Sequence, residues 1–87
     1  MQTSPIIQPV EVLKRFQFIC CLCYGEAVAV HEIEPRSRRP TDWWKWDNRA
    51  PLCAECHARV HEQGTRKWEQ KLREGRQVLA SLLLPGE

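Results

Sequence analysis

LCAECHARVH, residues 52–61, is the most informative stretch of this 87-residue chain. Cys53 and Cys56 form a C-x2-C pair, and His57 and His61 follow at i,i+4 spacing. On a helix, that spacing puts both imidazoles on one face, one turn apart, where they can share an ion. A second C-x2-C pair, Cys20/Cys23, lies upstream. Two such pairs without a secretion signal read as a structural zinc site of four cysteines, Cys20, Cys23, Cys53 and Cys56, because each knuckle points two thiolates at one tetrahedral ion. Two reducible disulfides are the alternative, as is a zinc site in which His57 replaces one of the thiolates. The fifth cysteine, Cys21, reads as a buried bystander.

The size of the chain makes such a staple necessary. A domain this short shields only a little over ~60% of its unfolded surface, so it usually needs a metal, a disulfide or a partner. One domain, residues 1–87, is expected. No apolar run approaches the ~18 residues of a membrane span, and the N-terminus lacks a signal-peptide layout. A cytoplasmic protein with no membrane partner follows as the expectation. The net charge of +2 says little, but residues 36–49 carry five cations against two anions.

Working outward from the knuckles, residues 1–19 read as an N-terminal arm, of which 10–19 fit either a short helix or a strand. Gly25 is expected to supply the turn of the first knuckle. Residues 26–33 (EAVAVHEI) alternate like a strand stopped by Pro35, and residues 50–53 read as a short returning strand. A helix is predicted over 54–62, ended by Gly64, and another over 65–84 capped by Thr65. On the second, Trp68, Leu72, Leu79 and Leu83 share a face. Glu69 and Arg73 form a favourable i,i+4 pair, and Gly75 weakens the middle. Trp43, Trp44 and Trp46 read mainly as cover for a small core, with stacking on bases as the other use.

Between the knuckles lie 29 residues, where a compact zinc ribbon has ~15–20. The surplus holds His31, Glu32, the Arg/Trp loop and Asn48. This order of motifs resembles the HNH endonuclease family, the zinc-knuckle ββα-metal (His-Me finger) nucleases. The matching text is C-x2-C at Cys20–Cys23, VHEIEPRS at Val30–Ser37, DN at Asp47-Asn48 and LCAECHARVH at Leu52–His61. It covers residues 20–62, roughly half of the chain.

The resemblance implies a small α+β fold, a ββα-metal core stapled by zinc and followed by a C-terminal helix. It implies a catalytic divalent ion (Mg²⁺, Mn²⁺, Ni²⁺ or Zn²⁺) on His31, His57 and His61. Asn48 would orient the base or brace the finger. The base position, usually His, holds Glu32, a poorer base beside a cation. Two assignments stay open: His31 ligates while Glu32 activates water, or His31 is the base while Glu32 or a substrate phosphate fills the metal shell. Arg36, Arg38, Arg39 and Arg49 are the candidate phosphate contacts. The implied activity is hydrolysis of DNA, by nicking or double-strand cleavage, leaving 5′-phosphate and 3′-hydroxyl ends. A catalytically weak zinc-stabilised binding module is the alternative, and a docking protein built on the C-terminal helix a further one. A homodimer, or a phage or mobile-element protein, is the expected protein partner, in a prokaryotic or phage-infected cell.

Overall fold

The computed structural model describes residues 6–84. Its elements are α1 (Pro9–Arg15), β1 (Ala29–Glu32), a 3₁₀ turn (Trp46–Asn48), β2 (Arg49–Leu52), α2 (Ala54–Gln63) and α3 (Thr65–Leu83). This is a small α+β arrangement: three helices around a two-stranded antiparallel sheet, with four cysteines gathered at one place. Register pairs Ala29 with Leu52, Val30 with Pro51, His31 with Ala50 and Glu32 with Arg49.

Residues 1–5 of the expected arm lie outside the described residues; of the rest, 9–15 form a helix. Pro9 starts α1 at a position where its missing N–H costs nothing. The helix delivers Val12 and then Phe16 into the core, both fully buried. Period-2 and helical readings both fit residues 10–19; the chance to bury this pair under the Trp loop decides for the helix. The chain leaves α1 through left-handed backbone at Gln17 and Phe18. The β1 strand is shorter than 26–33. Its lead-in makes only an isolated bridge, Ile19 to Glu26, because the knuckle turn must close first. That turn is made by Tyr24 (φ 64°), not Gly25, and closes with Cys20 N–H on the Gly25 carbonyl at 2.7 Å.

The core comprises Val12, Phe16, Ile33, Ala50, Leu52, Val60, Leu72 and Leu79 together with the buried cysteines. Trp46 stacks on Phe16 with ring centroids 5.0 Å apart, as expected of a covering residue. The apolar face of α3 is as expected: Leu72 and Leu79 are buried, with Trp68 and Leu83 packed beside them. The Glu69–Arg73 pair does not form the expected link along the helix. Glu69 binds Arg38, and Arg73 binds Glu34 at 2.7 Å, so both tie α3 to the 34–39 loop.

Gly75 has a packing reason that helix propensity hides. A Cβ there would overlap the backbone carbonyl of Cys21, which cannot swing aside as a side chain can. The Gly75→Ala substitution, which would gain about 1 kcal/mol in a free helix, is therefore expected to destabilise the fold by about 1–3 kcal/mol. Urea denaturation of the two proteins measures this directly.

Candidate metal and catalytic site

The two knuckles converge. The Sγ atoms of Cys20, Cys23, Cys53 and Cys56 all lie within 4.8 Å of one another, consistent with a structural zinc site. All five cysteines are free thiols, so the disulfide alternative is not what the structure holds. Two knuckle thiols take backbone bonds: Cys56 N–H donates to Cys53 Sγ at 3.3 Å, and Gly25 N–H to Cys23 Sγ at 3.4 Å, where burial and neighbouring thiols still raise Cys23. The first of these bonds pulls the Cys53 thiol down to about 7. Cys21 stands apart as a buried thiol, pushed up to about 12 mainly by burial.

A second cluster is made by β1 and α2. His31 comes from the strand, His57 and His61 from the helix, with ring nitrogens within 4.8 Å of one another. His57 Nε2 and His61 Nε2 are 2.9 Å apart. His57 stays out of the thiolate cluster. Burial, then the neighbouring His61 and His57, brings His31 down to about 4. Burial also lowers His57. Neutral imidazoles are the metal-binding form, so the donor chemistry fits a divalent ion.

The three histidines and Glu32 line one open cleft of about 340 Å³, with Val30, Pro35, Arg36 and Thr65. Neighbours on a strand point to opposite faces, but β1 ends at Glu32 and both side chains reach this cleft. Both Glu32 oxygens are held by Arg36, at 3.2 and 3.1 Å, and the Arg36 guanidinium lies 3.6 Å over the Trp43 ring. Thr65 does not cap α3; the N-cap is Gly64 (φ 98°), and the Thr65 hydroxyl sits 3.2 Å from His31 Nε2. Nothing local in the sequence signals that contact, which spans 34 positions.

Asn48 lies outside the cleft lining. Wholly buried, it accepts from Glu34 N–H at 2.7 Å and donates to the carbonyls of Glu34 (3.0 Å) and Trp43 (2.9 Å). Its own carbonyl takes Ile33 N–H at 2.9 Å. These bonds close the 34–48 loop at its base. Asn48→Ala strips three buried hydrogen bonds and leaves backbone groups unpaired, at about 2–4 kcal/mol. A lowered melting temperature, with the loop tryptophans shifted in fluorescence, is the expected reading.

The candidate phosphate contacts divide. Arg36 and Arg38 are exposed, each in one ion pair. Arg39 is mostly covered and knitted to Asp42, Asp47 and Glu34, so it organises the loop. Arg49 corrects the expectation: it is 4% exposed, donating to the carbonyls of Ile7 and Trp44. Those carbonyls give the guanidinium an interior role unavailable to a DNA contact. No helix among the described residues is long and apolar enough to cross a membrane. No family model, curated protein or solved structure matches the chain.

Proposed function

We propose that the chain is a metal-dependent DNA endonuclease of the HNH, ββα-metal type. The observation that carries this reading is one open cleft in which His31, His57 and His61 bring their ring nitrogens together beside Glu32. In this reading β1, β2 and α2 are the ββα unit, and the four cysteines hold a structural zinc that folds the chain without entering the chemistry. His31, His57 and His61 would hold the catalytic ion. Such an ion supplies Lewis-acid stabilisation of charge on the phosphoryl and leaving oxygens.

The residues divide the remaining work. Burial keeps His31 neutral and fit to ligate, which favours Glu32 over His31 as acceptor of the water proton. Glu32 cannot act while both carboxylate oxygens are occupied by Arg36. A substrate phosphate competes for the same guanidinium, bidentately, and frees the carboxylate as it binds. Trp43 keeps Arg36 at the cleft edge during the exchange. One such site cuts one strand per encounter, so double-strand cleavage would need two chains or two encounters.

The Arg36–Glu32 pair also favours the second reading, a binding module in which the carboxylate is only a salt-bridge partner. Conversion of supercoiled plasmid by zinc-loaded protein, scanned over Mg²⁺, Mn²⁺ and Ni²⁺, separates the two. Nicked circle is expected with at least one ion, and Glu32→Gln should slow it by about 10²-fold or more, as loss of a general base does. Salt-dependent DNA binding without nicking by folded protein would select the binding module.

A further inference from the structure

The histidine cleft does not end at Thr65. A neighbouring cleft of about 290 Å³ is lined by Pro35, Ser37, Arg38, Thr65 and Arg66. Pro35 and Thr65 line both clefts. The second one brings a hydroxyl and two guanidiniums to a wall it shares with the histidine site. Arg38 and Arg66 are both exposed, and they reach the cleft from different elements, the 34–39 loop and the first turn of α3.

Arg38 is tied into the fold through Glu69, but the charge of Arg66 is not explained by folding. Arg66 and Lys67 occupy the first turn of α3, and that turn holds no acidic residue. Cations are disfavoured at a helix start. No ion pair engages Arg66 among the described residues, whereas Arg38 is held by Glu69. An anion bridging Arg38 and Arg66 would offset the charge of Arg66 and compete with Glu69 for Arg38.

We propose that this second cleft is a phosphate subsite for the same nucleic-acid strand that enters the histidine cleft. Arg66 and Arg38 clasp the backbone phosphate next to the reacting one, and Ser37 donates to it. The inference rests on the nuclease reading above and adds to it a second phosphate contact on the same strand. A polynucleotide fills both clefts across Pro35 and Thr65, while a mononucleotide fills only one. Arg66 thus becomes a positioning residue for the strand, a role no motif in the sequence signals.

The test is binding of a short duplex DNA by the zinc-loaded full chain, by anisotropy over a salt series without added divalent ion. Each phosphate contact contributes about 0.9 to the slope of log K against log salt. Arg66→Ala is expected to lower the slope by about 0.9, and Arg66→Lys to restore it. Glu69→Gln, which releases Arg38, should steepen it. Lys71→Ala removes the same charge from a side chain lining neither cleft and should leave the slope unchanged. A wild-type slope in Arg66→Ala, or an equal loss in Lys71→Ala, would overturn the subsite while the nuclease reading stands. Absence of salt-dependent binding by the wild-type protein would overturn both.

Discussion

A Cys20→Ser chain is expected to be unfolded at 25 °C, and wild-type protein stripped by a strong chelator should behave in the same way. Cys20 is fully buried, and Cys23 and Cys53 are separated by 30 positions. A shared ion is therefore a long-range crosslink as well as a ligand cage. Structural zinc contributes on the order of 10 kcal/mol in small domains. A domain of ordinary stability holds about 5–15 kcal/mol in total. With only a small core, loss of the ion removes most or all of the margin. Far-UV circular dichroism and metal analysis would report it. Cys21→Ala is the control, since that thiol lies outside the cluster: it should keep zinc and fold, with a modest packing cost. A folded Cys20→Ser protein without zinc would refute the structural role.

The second large effect is expected at His57. The His57→Ala variant should keep its zinc and its fold, because the side chain is only half-buried on α2. It should lose plasmid nicking by at least about 10²-fold, since even the outer partners of metal ligands cost 10–100-fold when removed. Calorimetric titration with Mn²⁺ or Ni²⁺ should show one site vanishing. Nicking that survives in His57→Ala would place the chemistry elsewhere. Acid should act on the same cluster. His31 is brought down to about 4, chiefly by burial, from an ordinary 6.5. Between these values the unfolded chain binds the additional proton. The stability this group contributes is thus fully present above about pH 6.5 and is lost as pH falls toward 4. Thermal melts at several pH values across that window, without added divalent ion, measure the slope.

Much of this site is legible from spacing alone. Two C-x2-C pairs and an i,i+4 histidine pair are local geometric facts, and the structure gathers the cysteines into one cluster and the histidines, with His31, into another. Helices α2 and α3 follow from periodicity and from Gly64 between them. The rest depends on contacts between distant positions. Residues 10–15 lie in a helix that ends at Phe16, whose ring stacks on Trp46, 30 positions later. Arg49 reads as a basic loop residue, but β2 carries it inward to the Ile7 and Trp44 carbonyls. Thr65 has the local signature of a cap, and β1 offers its hydroxyl a histidine instead. Asn48 bonds to Glu34 and Trp43, contacts that fit the bracing role among the two expected of it, though only the fold shows which partners it takes. In each case burial of a distant partner outweighs a local preference worth about 1 kcal/mol.

The close approach of Gly75 to the Cys21 carbonyl has a consequence for the life of the protein. It presses α3 against the first knuckle with no side chain between them. If the cysteines hold a structural zinc, its loss would be expected to unshape that knuckle and leave the helix without the surface on which it rests. Leu72, Leu79 and Leu83 are then presented to solvent along a single long element. Such a segment is what proteases and aggregating neighbours engage first. Zinc supply would therefore set how long each copy survives, making abundance follow a metal whose role is structural alone. Pulse-chase turnover under zinc limitation should show the wild-type chain disappearing at the rate of Cys20→Ser.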